Sequence, residues 1–179
     1  MAPRVLVAGI GNIFLGDDAF GVEVVQRLAT RPLPEGVRVV DFGIRGFDLA
    51  YALMDGYEAA ILVDAIPRGG VPGTVYTVEP DLSSLDDPQP SDMVVEPHTM
   101  DPVKVFRMVR AMGGELRRIL LVGCEPATFG PENEGHMGLS EPVEAAVDEA
   151  VKLVESLLTT MSPEVAGAAS NSGRGGQPS

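Results

Sequence analysis

The chain has no tryptophan, one cysteine and two histidines in 179 residues. A lone cysteine excludes an internal disulfide and any zinc site built from several thiolates. Aromatic residues are 5% of the chain, so its core must be largely aliphatic. Cations are scarce: 13 Lys and Arg stand against 26 Asp and Glu, a net charge of −13. A body this acidic repels phosphate backbones and anionic lipid, which argues against nucleic acid or a membrane surface as partner. No apolar run approaches the roughly 18 residues that a membrane span needs. The opening MAPRVLVAGIGN is too short for a signal-peptide core, and a cytoplasmic protein is expected.

What is present suffices for one folded domain. Apolar residues make up 45% of the chain. Residues 5–8, 37–40, 59–63 and 119–122 are short apolar runs that read as strands. Residues 74–79 follow Gly69, Gly70, Pro72 and Gly73 and read as an edge strand or hairpin arm. Helical patterns lie between them. Residues 17–29 place Phe20, Val24, Val25 and Leu28 on one face, and residues 47–54 do so with Phe47, Ala50, Leu53 and Met54. Asp101-Pro102 reads as a helix start followed by the stripe Val103, Phe106 and Val109. Ser140 reads as the cap of a last helix with Val143, Val147, Ala150, Val151, Val154 and Leu158 inward. Residues 81–97 are expected to form a polar loop, and residues 162–179 a disordered tail beyond a domain of residues 1–161.

This alternation predicts a single-domain, three-layer α/β sandwich: a mainly parallel twisted sheet with helices on both faces. Ligands of such sheets bind beyond the carboxyl ends of the strands. Asn12, Asp17 and Asp18 follow the first strand, Asp41 ends the second and Asp64 ends the third. His98 precedes the Asp101 helix, Glu125 follows the fourth main strand, and His136 precedes the last helix. Each has an ordinary explanation. Asp17 or Asp18 can cap a helix, Asp41 and Asp64 can form turns, and either His can bond a nearby backbone. Cys124 ends an apolar strand and reads as a small buried residue. Together, Asp18, Asp64 and His98 put two carboxylates and an imidazole on one edge, a set suited to Ni²⁺ or Zn²⁺ with a position left open. Gly9-Ile10-Gly11 also opens a dinucleotide-binding pattern, but Phe14 stands where the third glycine belongs.

The run Gly9-Ile10-Gly11-Asn12-Ile13-Phe14-Leu15-Gly16-Asp17-Asp18-Ala19-Phe20-Gly21-Val22 resembles the opening motif of the hydrogenase maturation proteases. The likeness continues through Asp41-Phe42-Gly43-Ile44-Arg45-Gly46, Val63-Asp64-Ala65, Pro97-His98, Gly123-Cys124-Glu125-Pro126 and His136-Met137-Gly138-Leu139-Ser140. It implies an endopeptidase that removes the C-terminal extension of a nickel-iron hydrogenase large-subunit precursor. It also implies metal-contacting positions at Asp18, Asp64 and His98, and a further functional aspartate at Asp41. Asp18 stands where many relatives carry Glu. The nickel is implied to arrive within the precursor rather than to be held permanently, and the precursor is the implied partner. The chain lacks the His-Glu-x-x-His helix of common zinc proteases. The readings that compete are a non-catalytic, metal-sensing chaperone of the same precursor and a nucleotide- or flavin-binding α/β module.

Overall fold

The computed structural model describes residues 4–86, 100–130 and 137–161. In chain order the elements are β1 (Val5–Ile10), α1 (Phe20–Leu28), β2 (Val37–Gly43), α2 (Gly46–Leu53), β3 (Ala59–Ala65), β4 (Val75–Val78), α3 (Pro102–Ala111), β5 (Arg118–Cys124) and α4 (Glu141–Met161). Short 3-10 turns form at Gly16–Ala19 and Leu82–Asp86. The sheet order is β2-β1-β3-β5-β4. All pairings are parallel except β4 with β5. The sandwich is therefore the expected one, with residues 74–79 supplying the antiparallel edge.

Burial follows from the pattern. β1 and β3 are buried along their whole length, as strands covered on both faces must be. Side chains alternate across the sheet. Val5, Val7, Ile61 and Val63 pack with Phe20, Val24 and Leu28 of α1 and Val147, Ala150 and Val154 of α4. Leu6, Ala8, Ala60 and Leu62 pack with Leu49, Ala50 and Leu53 of α2 and Val105, Phe106 and Val109 of α3. Arg27 ties α1 to α4 through Glu144 at 2.7 Å and Asp148 at 3.0 Å.

Several expectations need correction. The first helix does not start at residue 17, because Gly16–Ala19 is a 3-10 turn that enters α1 at Phe20. Phe47 and Met54 face solvent, and Leu49 takes their place on the inner side of α2. Val103 is exposed and Val105 is buried, a shift in the phase of the α3 stripe. Leu82–Asp86 is a turn rather than loop, and Leu85 is buried in the core beside α2 and α3. Ser140 does stand at the head of α4, its carbonyl accepting from the Glu144 N–H at 2.8 Å, while its hydroxyl donates to Asp17. Asp101 caps α3 as expected, accepting from the Val103 N–H at 2.9 Å.

The chain leaves β1 toward β2 and later returns to β3 on β1's other side. The carboxyl ends of β1 and β3 thus flank the switch point, where a crevice opens. Glycines let α1 approach this point. A Cβ on Gly21 would stand 2.0 Å from the Val63 carbonyl oxygen and 2.4 Å from that of Ile10. Gly11 has φ +144°, and a Cβ there would lie 1.7 Å from the Asp18 carbonyl oxygen. The 3-10 turn is thereby pressed onto the ends of β1 and β3.

Candidate active site

Asp64 occupies the last turn-facing position of β3. Ala60 and Leu62 face the α2–α3 side, and Asp64 continues that alternation. Its side chain is almost wholly buried. Burial pushes its carboxyl well above the usual carboxylate range, and the Asp18 charge pushes it the same way. The Ala65 N–H opposes the shift, and Asp101 at the head of α3 adds to it. Asp18 is half-buried on the 3-10 turn, and the Asn12 N–H donates to its Oδ2 at 2.8 Å. Burial raises its carboxyl too, with the Asn12 bond pulling the other way. Two residues separated by most of the first βαβαβ unit thus act on each other at the switch point.

The neighbouring Asp17 behaves oppositely. It is fully buried, and its carboxylate accepts from four donors. These are the N–H groups of Ala127 (2.8 Å), Thr128 (3.0 Å) and Ser140 (2.7 Å), and the Ser140 hydroxyl (2.8 Å). Burial alone would raise its carboxyl, but these donors together hold it below the ordinary value. Its own N–H donates to the Thr128 carbonyl at 3.0 Å. Asp17 therefore caps no helix of its own. It clasps the 3-10 turn to the loop after β5 and to the head of α4, and so fixes where its neighbour Asp18 stands.

Asp41 stands apart. It is exposed, and its Oδ1 accepts from the Gly43 N–H at 2.9 Å, a turn-forming bond. β1 lies between β2 and β3, which puts Asp41 two strand spacings, about 10 Å, from the line of Asp64. Arg45 donates to the Asp41 carbonyl and pairs with Asp48 at 3.2 Å. Glu125 is buried, and its carboxylate accepts from the Arg68 and Gly69 N–H groups at 2.8 and 3.1 Å. It closes the loop that leaves β3. Tyr76 anchors the same loop, its hydroxyl donating to the Ile66 carbonyl at 2.6 Å. Cys124 is buried, and burial pushes its thiol up to about 12, which suits an inert core residue. His98 and His136 lie outside the described residues. Among the described residues, no group of three or more His, Cys, Asp or Glu is arranged to hold a metal ion.

Sequence reasoning missed two contributors: the Asp17 clasp and the charge of Asp101 beside Asp64. Asp101 was legible as a helix cap. The partners of Asp17 lie 110 to 123 residues away, beyond any local pattern.

Chemically, Asp18 and Asp64 are a partly desolvated pair of carboxylates, and among the described residues no cation contributes to either shift. The pair can share a proton, or it can take a cation that relieves the repulsion. A doubly wound α/β domain sets such a pair at the switch point, where ligands of this fold class bind. The family model for hydrogenase maturation proteases (the HycI type) matches residues 22–157, and the chain belongs to this family. It is similar to the hydrogenase expression/formation protein HupD of Rhodobacter capsulatus, 35% identical over 158 residues, which span 83% of this chain and 70% of that protein. The Hydrogenase 2 maturation protease of Escherichia coli is 32% identical over 157 residues, covering 87% of this chain and 90% of its own. The solved hydrogenase maturating endopeptidase HybD of E. coli superposes with a TM-score of 0.69 at 29% identity, over 88% of this chain and 93% of that one.

Proposed function

We propose that this protein is the endopeptidase that removes the C-terminal extension of a nickel-iron hydrogenase large-subunit precursor, acting on a precursor that already carries its nickel. The observation that carries the reading is the coupling of Asp18 with Asp64 at the β1–β3 switch point, in a chain of this protease family. The donor set fits a nickel ion presented by the substrate. Both carboxylates are raised by burial, and Asp64 also by the Asp18 charge, which favours a cation beside them. His98 precedes Asp101 by three residues, and Asp101 acts on Asp64. Asp18, Asp64 and His98 would contact the metal, which when bound supplies positive charge beside the peptide to be cut.

The residues themselves supply orientation and protons. Asp17 holds the turn that carries Asp18. Ionised beside a bound cation, the Asp18 or Asp64 carboxylate can accept a proton from the attacking water and return it to the leaving amine. Asp41 contributes at the margin of the crevice rather than in the pair. The described residues contain no helix long and apolar enough to cross a membrane.

The test is incubation of the purified protein with nickel-loaded and nickel-free precursor, followed by intact-mass measurement. One discrete C-terminal loss from the loaded precursor alone is expected. An uncut loaded precursor would end the endopeptidase reading, and equal cutting of both forms would end nickel dependence.

A further inference from the structure

Helix α2 is apolar on two sides. Its inner face, Leu49, Ala50 and Leu53, is buried beneath α3 and the sheet. Its outer side carries Phe47 and Tyr51, 67% and 63% exposed, extended by Ile44 before the helix and Met54 after it. Positions 47, 51 and 54 are three and four apart, which aligns them in one stripe, with Ile44 in the turn before the helix. A helix apolar all round is ordinarily covered on all sides. The chain has only six Phe and three Tyr, so two of them on one open helix face is a concentration that needs a cause. Paired charges border the stripe. Arg45 meets Asp48 at 3.2 Å near its start, and Arg4 meets Asp55 at 3.4 Å near its end. An apolar strip edged by satisfied polar groups has the anatomy of a protein interface.

We infer that the outer face of α2 docks the folded body of the large-subunit precursor while its C-terminal segment lies over Asp18 and Asp64. The inference rests on the function proposed above. Continuity with the site selects this occupant. A Cβ on Gly46, the first residue of α2, would lie 3.6 Å from Val105 and 3.8 Å from Met100, at the head of α3. That head carries Asp101, whose charge acts on Asp64. A protein seated over the crevice reaches the α2 stripe along the same edge. A second copy of this chain is disfavoured, because each copy brings a net charge of −13.

The experiment compares wild type, the double variant Phe47→Ser/Tyr51→Ser, and Met112→Ser as a control at the far end of α3. Binding to immobilised nickel-loaded precursor is read by biolayer interferometry, trimming by steady-state kinetics, and self-association by sedimentation velocity. The double variant should weaken Kd and raise KM by about tenfold or more while kcat stays near wild type. Its Tm should hold, since both side chains are exposed, and Met112→Ser should match wild type. A double variant that binds and trims with wild-type Kd and KM overturns the docking face and leaves the proposed activity standing. Wild-type dimers that the double variant loses would give the face to a second copy and overturn the inference. A wild type that neither binds nor trims the precursor overturns both.

Discussion

Replacing Asp17 by alanine removes an acceptor shared by four donors from two distant segments. Hydrogen bonds to a charged group contribute about 1.5–3 kcal/mol each, but they are not additive. Ala127 and Thr128 lie in an exposed loop, where water can recover part of the loss. Breaking a buried charged network by removing one member typically costs about 3–5 kcal/mol. Asp17→Ala should fall in that range at neutral pH, and Ser140→Ala, which removes only the hydroxyl donor, should cost about 1.5–3 kcal/mol. The pH dependence follows from the sign of the shift. The folded carboxyl titrates below its unfolded value, so its contribution is complete above about pH 4 and is lost as pH falls through the lower folded value. Urea unfolding at a series of pH values reads both effects. With a slope of about 1–3 kcal/mol per molar urea, the neutral-pH midpoint should drop by about 2 M. A loss under about 1 kcal/mol, or a wild-type-to-variant gap that stays constant into strong acid, would refute the clasp.

Asp64→Asn should stabilise the metal-free protein at pH 7 while abolishing trimming. Because Asp64's folded value is raised, keeping the carboxyl buried costs free energy above its unfolded value, and the gain should vanish below about pH 4. Thermal melts across pH check this, and a destabilised variant at pH 7 would contradict it. Gly21→Ala places a methyl against the Val63 and Ile10 carbonyls, so α1 must move. A loss of about 1–3 kcal/mol is expected, with trimming reduced because the Asp18 turn moves with the helix. Chemical denaturation and the trimming assay together read the outcome, and wild-type behaviour in both would show that the close approach is not needed. Cys124 should resist iodoacetamide in the native state at pH 8 and react only on unfolding, since its thiol is buried and pushed up to about 12. Rapid native labelling, seen by mass, would contradict that burial.

The strands were legible in their apolar middles and lost at their carboxyl ends. β1 runs on through Gly9 and Ile10, β2 through Asp41 to Gly43, and β3 through Asp64 and Ala65. Glycine and aspartate at those ends look like turns, yet parallel pairing carries them into the sheet, and those are the positions that build the site. Helix phase was the second weakness. Residues 44–54 are apolar on both sides of α2, so periodicity alone could not tell Leu49 from Phe47. The same ambiguity exchanged Val103 for Val105. Adjacent aspartates posed a third problem. Asp17 and Asp18 look alike in a sequence, and only the fold shows that one is wholly enclosed by donors while the other is half-buried and accepts from the Asn12 N–H. Alternation was enough to put Asp18 and Asp64 on the carboxyl edge, but the order β2-β1-β3, which sets the ends of β1 and β3 side by side, is visible only in the fold.

The most direct test removes the paired groups one at a time. Asp18→Ala, Asp64→Ala and His98→Ala, each shown to be folded by circular dichroism and thermal melting, are incubated with nickel-loaded precursor beside wild type, and the products are weighed intact. The account predicts a single C-terminal loss with wild type and an unchanged precursor mass with each variant. Full trimming by the Asp18 and Asp64 variants would contradict it.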